Sequence, residues 1–208
     1  MIHEQRDKIN FYMCDNIEFM KSKPDKYYDL AIVDPEYGIG AGKMTMGTGK
    51  HKFKQGKDWD KKIPDDEYFN ELFRVSKNQI IWGGNYFTSI LPPTKHWIVW
   101  DKLNPNLSFA EGELAWQSFG KLLRIYKNYS ANHDKIHPTQ KPVDLYRWIL
   151  NKYAKKGIKI LDTHGGSMTH AIACDMEGFA LDICEIDEDY FKAGLKAFDE
   201  YKSQLKLF

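Results

Sequence analysis

Short apolar runs alternate with amphipathic stretches along this chain, and acids close several of the runs. The clearest run is Leu30-Ala31-Ile32-Val33, stopped by Asp34-Pro35 and loosened by Gly38 and Gly40. Four apolar residues in succession, β-branched at the end, predict a strand buried on both faces that opens into a polar turn. Asn10 to Cys14, Gln79 to Trp82, Trp97 to Trp100, Ile158 to Leu161 and Phe179 to Cys184 predict further strands. Leu114 to Phe119 and Leu122 to Tyr126 flank Gly120 and predict an antiparallel hairpin.

Helical spacing fills the intervals. Ile17 and Met20, with Phe19 beside them, predict a turn or two closed by Pro24. Tyr68, Phe69, Leu72, Phe73 and Val75 form a stripe behind Pro64 and the acids Asp65, Asp66 and Glu67, which favour a first helical turn. Pro142 suits the first position of a helix carrying Val143, Tyr146, Ile149, Leu150 and Tyr153. Two more helices carry Ala171, Ile172 and Met176, and Phe191, Leu195 and Phe198. Alternating strands and helices with one late hairpin predict an α/β fold: a mostly parallel twisted sheet with helices on both faces.

Composition narrows the partners. The 208 residues suit one domain, and 42% hydrophobic residues, with 12 Tyr, 12 Phe and 6 Trp, supply a sizeable core. A formal net charge of +1 excludes a general polycation, so any nucleic-acid contact must come from local clustering. Such a cluster lies at about 41–62, where Lys43, Lys50, Lys52, Lys54, Lys57, Lys61 and Lys62 accompany glycines and little apolar pattern. It reads either as a solvated surface loop or as a mobile basic lid. Cys14, Cys174 and Cys184 are odd in number and lack CxxC spacing, which favours a reducing compartment over a zinc site. His133 and His137 have no Cys or Glu nearby to complete a metal set. No signal peptide opens the chain and no apolar run reaches membrane-spanning length, so a cytoplasmic protein without a membrane partner is expected.

Candidate chemistry sits at the strand ends. Ligands of open α/β sheets bind beyond the carboxyl ends of the strands. Asp15, Asp34, Asp101, Asp162 and Glu185 all stand there. Asp34, Pro35 and Tyr37 bring an acid, a rigid ring and an aromatic face together, suited to a planar amine-bearing group; Asp-Pro is equally the material of an ordinary turn. Asp162, Gly165-Gly166, a helix, a strand and Glu185 form a nucleotide-type βαβ unit. Glu185 follows Asp162 by 23 positions, near the roughly 20 expected of a ribose-binding acid. GxGxxG and GxxxxGK[ST] are both absent, which favours a ligand with a ribose but no phosphate, S-adenosylmethionine for example. Its ammonium suits Asp162 and its ribose hydroxyls suit Glu185. The glycines read alternatively as packing devices.

In this order the motifs resemble the amino-group DNA methyltransferases with a DPPY motif, in their β arrangement. The resemblance runs from Asp15 through Asp34-Pro35-Glu36-Tyr37, Ile80-Ile81-Trp82-Gly83-Gly84-Asn85-Tyr86-Phe87 and Trp97-Ile98-Val99-Trp100-Asp101. It continues through His137-Pro138-Thr139-Gln140-Lys141-Pro142 and Ile160-Leu161-Asp162-Thr163-His164 to Cys184-Glu185-Ile186-Asp187. The chain looks most like the small enzymes of phages and prophages. The resemblance implies a Rossmann-like methyltransferase domain over 1–208, with a catalytic half at about 8–130 and a cofactor half at about 136–200.

It also implies roles. Asp34 and the Pro35 carbonyl accept hydrogen bonds from the target amine, and Tyr37 stacks on the extruded base. Asp162, His164, Gly166 and Ser167 surround the methionine part of S-adenosylmethionine. Glu185 holds its ribose, Asp15 its adenine, and His137, Thr139 and Lys141 close over its carboxylate. Lys43, Lys50, Lys52 and Lys54 would meet double-stranded DNA. Asp at the first motif position is similar to the adenine-N6 enzymes. The oligomeric state is open, with a homodimer one option.

Two positions depart from the family pattern. Glu36 stands where the motif has its second Pro, and Asp162-Thr163-His164-Gly165-Gly166-Ser167-Met168 replaces Asp-Pro-Phe-x-Gly-Ser-Gly. Glu36 is expected to relax the turn and to meet a basic residue of the 41–62 segment. Residues 101–135 are the only room for target recognition. The alternatives are a cytosine-N4 enzyme and a catalytically silent relative that binds cofactor or DNA.

Overall fold

The computed structural model describes residues 1–40, 60, 62–104, 110–120, 122–128 and 140–205. Nine strands form one sheet: β1 (Ile2–Arg6), β2 (Ile9–Met13), β3 (Tyr28–Val33), β4 (Ser76–Trp82), β5 (Trp97–Asp101), β6 (Gly112–Gln117), β7 (Arg124–Lys127), β8 (Lys159–Asp162) and β9 (Ala180–Glu185). The helices are α1 (Asn16–Lys21), α2 (Asp66–Val75), α3 (Val143–Tyr153), α4 (Thr169–Glu177) and α5 (Glu188–Leu205).

The strand order is β1-β2-β9-β8-β3-β4-β6-β5-β7. β2, β9, β8, β3 and β4 are parallel, while β1 and β6 run against their neighbours. The chain leaves β3 towards β4 and leaves β8 towards β9, in opposite directions, yet β3 and β8 are adjacent. Their carboxyl ends therefore flank a topological switch point, where α/β sheets open a crevice.

Both sheet faces are covered, as the unbroken apolar run of β3 requires. Leu30 and Ile32 pack with α3, α4 and α5, whereas Ala31 and Val33 pack with α1 and α2. Trp82, Trp100, Phe11, Phe19 and Phe69 are among the largest buried side chains. Each buried ring of this size contributes about 1.5–3 kcal/mol, against about 0–1 kcal/mol for an exposed ion pair. The core, then, positions the strand ends. Asp65 caps α2 by accepting the Tyr68 N–H, and Asp15 caps α1 by accepting the Glu18 N–H.

The expected hairpin is not formed. β6 and β7 both pair with β5, β6 antiparallel and β7 parallel, and not with each other. Gly120 marks a real turn, with φ 111°, but β7 takes its partner from across the sheet. β1 has mostly exposed or half-buried residues and so leaves no apolar signal; it pairs antiparallel with β2 through Asp7-Lys8. Pro142 lies one position before α3, as its cap, and α2 passes directly into β4.

Candidate active site

Two turns build the site: residues 34–38 after β3 and residues 163–168 after β8. They face one cavity of about 1280 Å³. Asp15, Asp34, Pro35, Tyr37, Lys141, His164, Gly166, Ser167 and Glu185 all line it. His137, Thr139, Lys43, Lys50, Lys52 and Lys54 lie outside the described residues.

On the catalytic side, Asp34 Oδ1 accepts a hydrogen bond from the Tyr37 hydroxyl at 2.6 Å. Asp34 Oδ2 lies 2.6 Å from Lys141 Nζ, and the same ammonium reaches Glu113 Oε2 at 2.9 Å. Lys102 holds the other oxygen of Glu113 at 2.6 Å. Two carboxylates and two ammonium groups thus share one half-closed space. Burial pushes Asp34 above the usual carboxylate range, although Lys141 opposes the rise. For Glu113 burial is outweighed by Lys141 and Lys102, which hold it down to about 2. Asp34 is therefore the carboxylate with proton affinity to spare. Lys141 stays protonated: burial would lower it, but Asp34 and Glu113 raise it further.

Lys141, expected over the cofactor carboxylate, lines the same cavity and lies against Asp34 and Glu113. Its place just before α3 carries it across to the carboxyl end of β3, where two acids attract it. Glu113 and Lys102 went unnoticed in the sequence, because no motif marks them and β6 reaches the site only through long-range pairing.

Tyr37 stacks on Tyr86, with ring centroids 4.9 Å apart and planes 14° apart. Gly83, at φ 69°, approaches the same ring so closely that a Cβ would lie 2.1 Å from Tyr37 Cε1. The return of the chain after the 41–59 segment is also fixed. Asp60 is 2% exposed, accepts the Gly38 N–H through its carboxylate at 2.7 Å and the Gly40 N–H through its carbonyl at 2.9 Å.

On the cofactor side, Glu185 accepts the Gly166 N–H at 2.7 Å and the Asp187 N–H at 2.8 Å, one on each oxygen. Gly166 has φ 49°, which lets its N–H turn towards Glu185. Each carboxylate oxygen keeps a second lone pair for a hydroxyl donor. Burial raises the Glu185 carboxyl, although the two N–H groups resist. The cavity is roomy enough for a nucleoside, and Gly165 and Gly166 keep the middle of its turn free of side chains. Those features fit a ribose-bearing ligand.

Asp162 departs from expectation and is corrected. It is 2% exposed, accepts the His164 N–H at 3.0 Å and contacts His170 Nδ1 at 2.8 Å. Strand-end position suggested a ligand-facing acid, but the buried histidine behind it takes the carboxylate. Asp162 shapes the turn from behind. Glu36 Oε2 lies 3.3 Å from His164 Nε2; the basic residues expected to meet it at 41–59 lie outside the described residues.

The architecture is that of the Rossmann-like methyltransferases, as solved structures show. The M1.HpyAVI complex with SAM aligns over 91% of this chain and 99% of its own, at 21% identity and TM-score 0.58. The PvuII DNA methyltransferase, described as cytosine-N4-specific, aligns over 92% and 86%, at 14% identity and TM-score 0.62. A putative DNA modification methylase from Thermus thermophilus, TTHA0409, complexed with S-adenosyl-L-methionine, aligns over 91% and 93%, at 14% identity and TM-score 0.60. No protein-family model matches the chain, and no curated protein matches it.

Proposed function

We propose that this chain is an S-adenosylmethionine-dependent DNA methyltransferase that methylates the exocyclic N6 amine of adenine. One observation carries the reading. Asp34, an acceptor for an amine, and the Gly166–Glu185 pair, a seat for a ribose, open into the same cavity. Structural neighbours support it: one is named a DNA methyltransferase, one a putative DNA modification methylase complexed with S-adenosyl-L-methionine, and one is the M1.HpyAVI complex with SAM.

Glu185 would hold the ribose hydroxyls, Asp15 would border the adenine end, and His164, Gly166 and Ser167 would meet the methionine end; all five line the cavity. The bound cofactor supplies an electrophilic methyl group on a sulfonium. The protein's task is the amine, whose lone pair is delocalised into the base. Asp34 and the Pro35 carbonyl accept its two hydrogens and draw the nitrogen towards tetrahedral geometry, which localises the lone pair. The amine takes the place of Lys141 on Asp34, and Lys141 keeps Glu113. The nitrogen so presented would be the nucleophile for the methyl group that the cofactor would supply. The surplus proton on nitrogen passes to Asp34, whose raised proton affinity suits it. Positioning and electrostatics carry the rate, without a covalent intermediate. The base reaches the cavity by leaving the duplex, at a cost of a few kcal/mol.

The partner is double-stranded DNA, engaged through Lys43, Lys50, Lys52 and Lys54 of the basic segment. Among the described residues no helix is long and apolar enough to cross a membrane.

Incubation with methyl-labelled cofactor and unmethylated DNA, followed by nucleoside analysis, tests the proposal. Label in N6-methyladenine is expected. Label in N4-methylcytosine would favour the second reading, which the likeness to the PvuII enzyme keeps in view. Cofactor binding with no label in DNA would identify a silent relative.

A further inference from the structure

The two positions at which the sequence departs from the DPPY pattern touch each other. Glu36 Oε2 in the catalytic turn lies 3.3 Å from His164 Nε2 in the cofactor turn, with side chains 28% and 15% exposed. Other elements close around the imidazole. Thr163 Oγ1 lies 2.9 Å from Nδ1 and 2.7 Å from the Tyr68 hydroxyl of α2. The Asn16 amide of α1 lies 3.1 Å from Nε2, and the Tyr68 ring meets the imidazole edge-on at 5.3 Å. Glu36, Asp162 and Glu185 are charged groups that face His164 among the described residues. Burial opposes the imidazolium, but these three carboxylates outweigh it and raise the pKa of His164.

Protonation decides which neighbour Nε2 serves. In the imidazolium both nitrogens donate, Nδ1–H to Thr163 and Nε2–H to Glu36. In the neutral ring with its proton on Nδ1, Nε2 accepts from the Asn16 amide and no longer donates to Glu36.

We infer that Glu36 and the imidazolium of His164 form a clasp that fixes the catalytic turn against the cofactor turn, and that both act as positioning residues for methyl transfer. The inference rests on the proposed function. The cofactor turn keeps its shape without the clasp. Gly165 N–H donates to the Cys184 carbonyl at 2.7 Å, Gly166 N–H to Glu185 at 2.7 Å, and Met168 N–H to the Gly165 carbonyl at 2.8 Å. Opening the clasp therefore spares cofactor affinity and loosens the placement of Asp34 and the Pro35 carbonyl. Removing either member of such a pair loses the contact between the two turns, whereas replacing both with apolar groups is often neutral.

The test uses the full chain and three variants: Glu36→Gln, His164→Phe, and the double variant Glu36→Pro with His164→Phe. Nuclear magnetic resonance titration of His164 should give a midpoint lowered by about one pH unit in Glu36→Gln, as the loss of one close counter-charge requires. In each single variant kcat should fall about 10- to 100-fold, the scale of a misplaced catalytic group, while in Glu36→Gln the cofactor KM stays within about threefold. The parent kcat should fall as pH rises through the His164 midpoint, and this limb should vanish in the double variant. The double variant should lose no more kcat than the worse of the two single variants, because the two losses are coupled. An unchanged His164 midpoint in Glu36→Gln, or losses that simply add, would overturn the clasp. A parent protein that transfers no methyl group would overturn the proposed function instead, and the titration would then decide the clasp alone.

Discussion

Lys141 Nζ lies 2.6 Å from Asp34 Oδ2, and the lysine side chain is 1% exposed. The contact sets the ionisation of Asp34, because burial alone would push that carboxyl still higher. Asp34 acts as an acceptor only when ionised, so activity is present above its pKa and lost as pH falls through it. Lys141→Met removes the opposing charge. The acid limb of kcat against pH should move upward, and a limb that stays in place or moves down would count against Asp34 as the acceptor.

Glu113→Gln should act with the opposite sign. Glu113 raises Asp34 by like-charge repulsion and shares Lys141 with it. Without the charge, Lys141 turns wholly to Asp34, and the acid limb moves to lower pH. The target amine then competes with a lysine that has nowhere else to go. The KM for DNA should rise about tenfold, equivalent to about 1.4 kcal/mol. A shift of the limb in the same direction as Lys141→Met would refute the shared-lysine account.

The uneven legibility of this site follows from what is local in a chain. Asp34, Pro35 and Glu185 were readable because each closes an apolar run, and a strand end is a local pattern. Glu113 was not readable: β6 takes its place through pairing with β4 and β5, distant in sequence. The same cause misled the hairpin, since Leu122 to Tyr126 has strand spacing but β7 chooses β5. Asp162 carried the right local signal for a ligand-facing acid, and a buried histidine eight residues on redirected it. The sheet and both helical layers were legible because core stripes depend on period alone.

Glu185→Ala tests the cofactor seat. Loss of hydrogen bonds from ribose hydroxyls to a charged acceptor should weaken S-adenosylmethionine binding by about 1.5–3 kcal/mol. Calorimetry reads this directly. The Gly166 and Asp187 N–H groups lose their acceptor too, so thermal melting of the variant should accompany the titration. Unchanged affinity in a folded variant would remove Glu185 from the site.

Gly83→Ala should be far more damaging than an exposed glycine substitution. The residue has φ 69°, and the new methyl would lie 2.1 Å from Tyr37 Cε1. The ring must move, which takes its hydroxyl away from Asp34. A destabilisation of about 1 kcal/mol or more is expected from the backbone alone. Activity should fall further than stability explains. A folded Gly83→Ala protein with parental kcat would show that the position of Tyr37 is immaterial.

Tyr86 and Tyr37 separate two ways of receiving a base. The family resemblance gives the stacking role to Tyr37, but one face of that ring is covered by Tyr86. Tyr86 is 41% exposed and lines the cavity, so an entering base meets its outer face without disturbing the pair. The two rings then act as one platform, with Tyr86 outermost and Tyr37 held by Asp34 beneath it. Stacking is worth about 1–3 kcal/mol per base, or roughly 5- to 150-fold in affinity. Tyr86→Ala should therefore raise the KM for DNA within that range and leave kcat near the parental value, since the ring touches neither acceptor of the amine. Fluorescence of 2-aminopurine placed at the target position should show weaker capture of the extruded base. If the base instead displaces Tyr86 to stack on Tyr37, truncation clears its path, and Tyr86→Ala would lower the KM. That result would return the stacking role to Tyr37 alone.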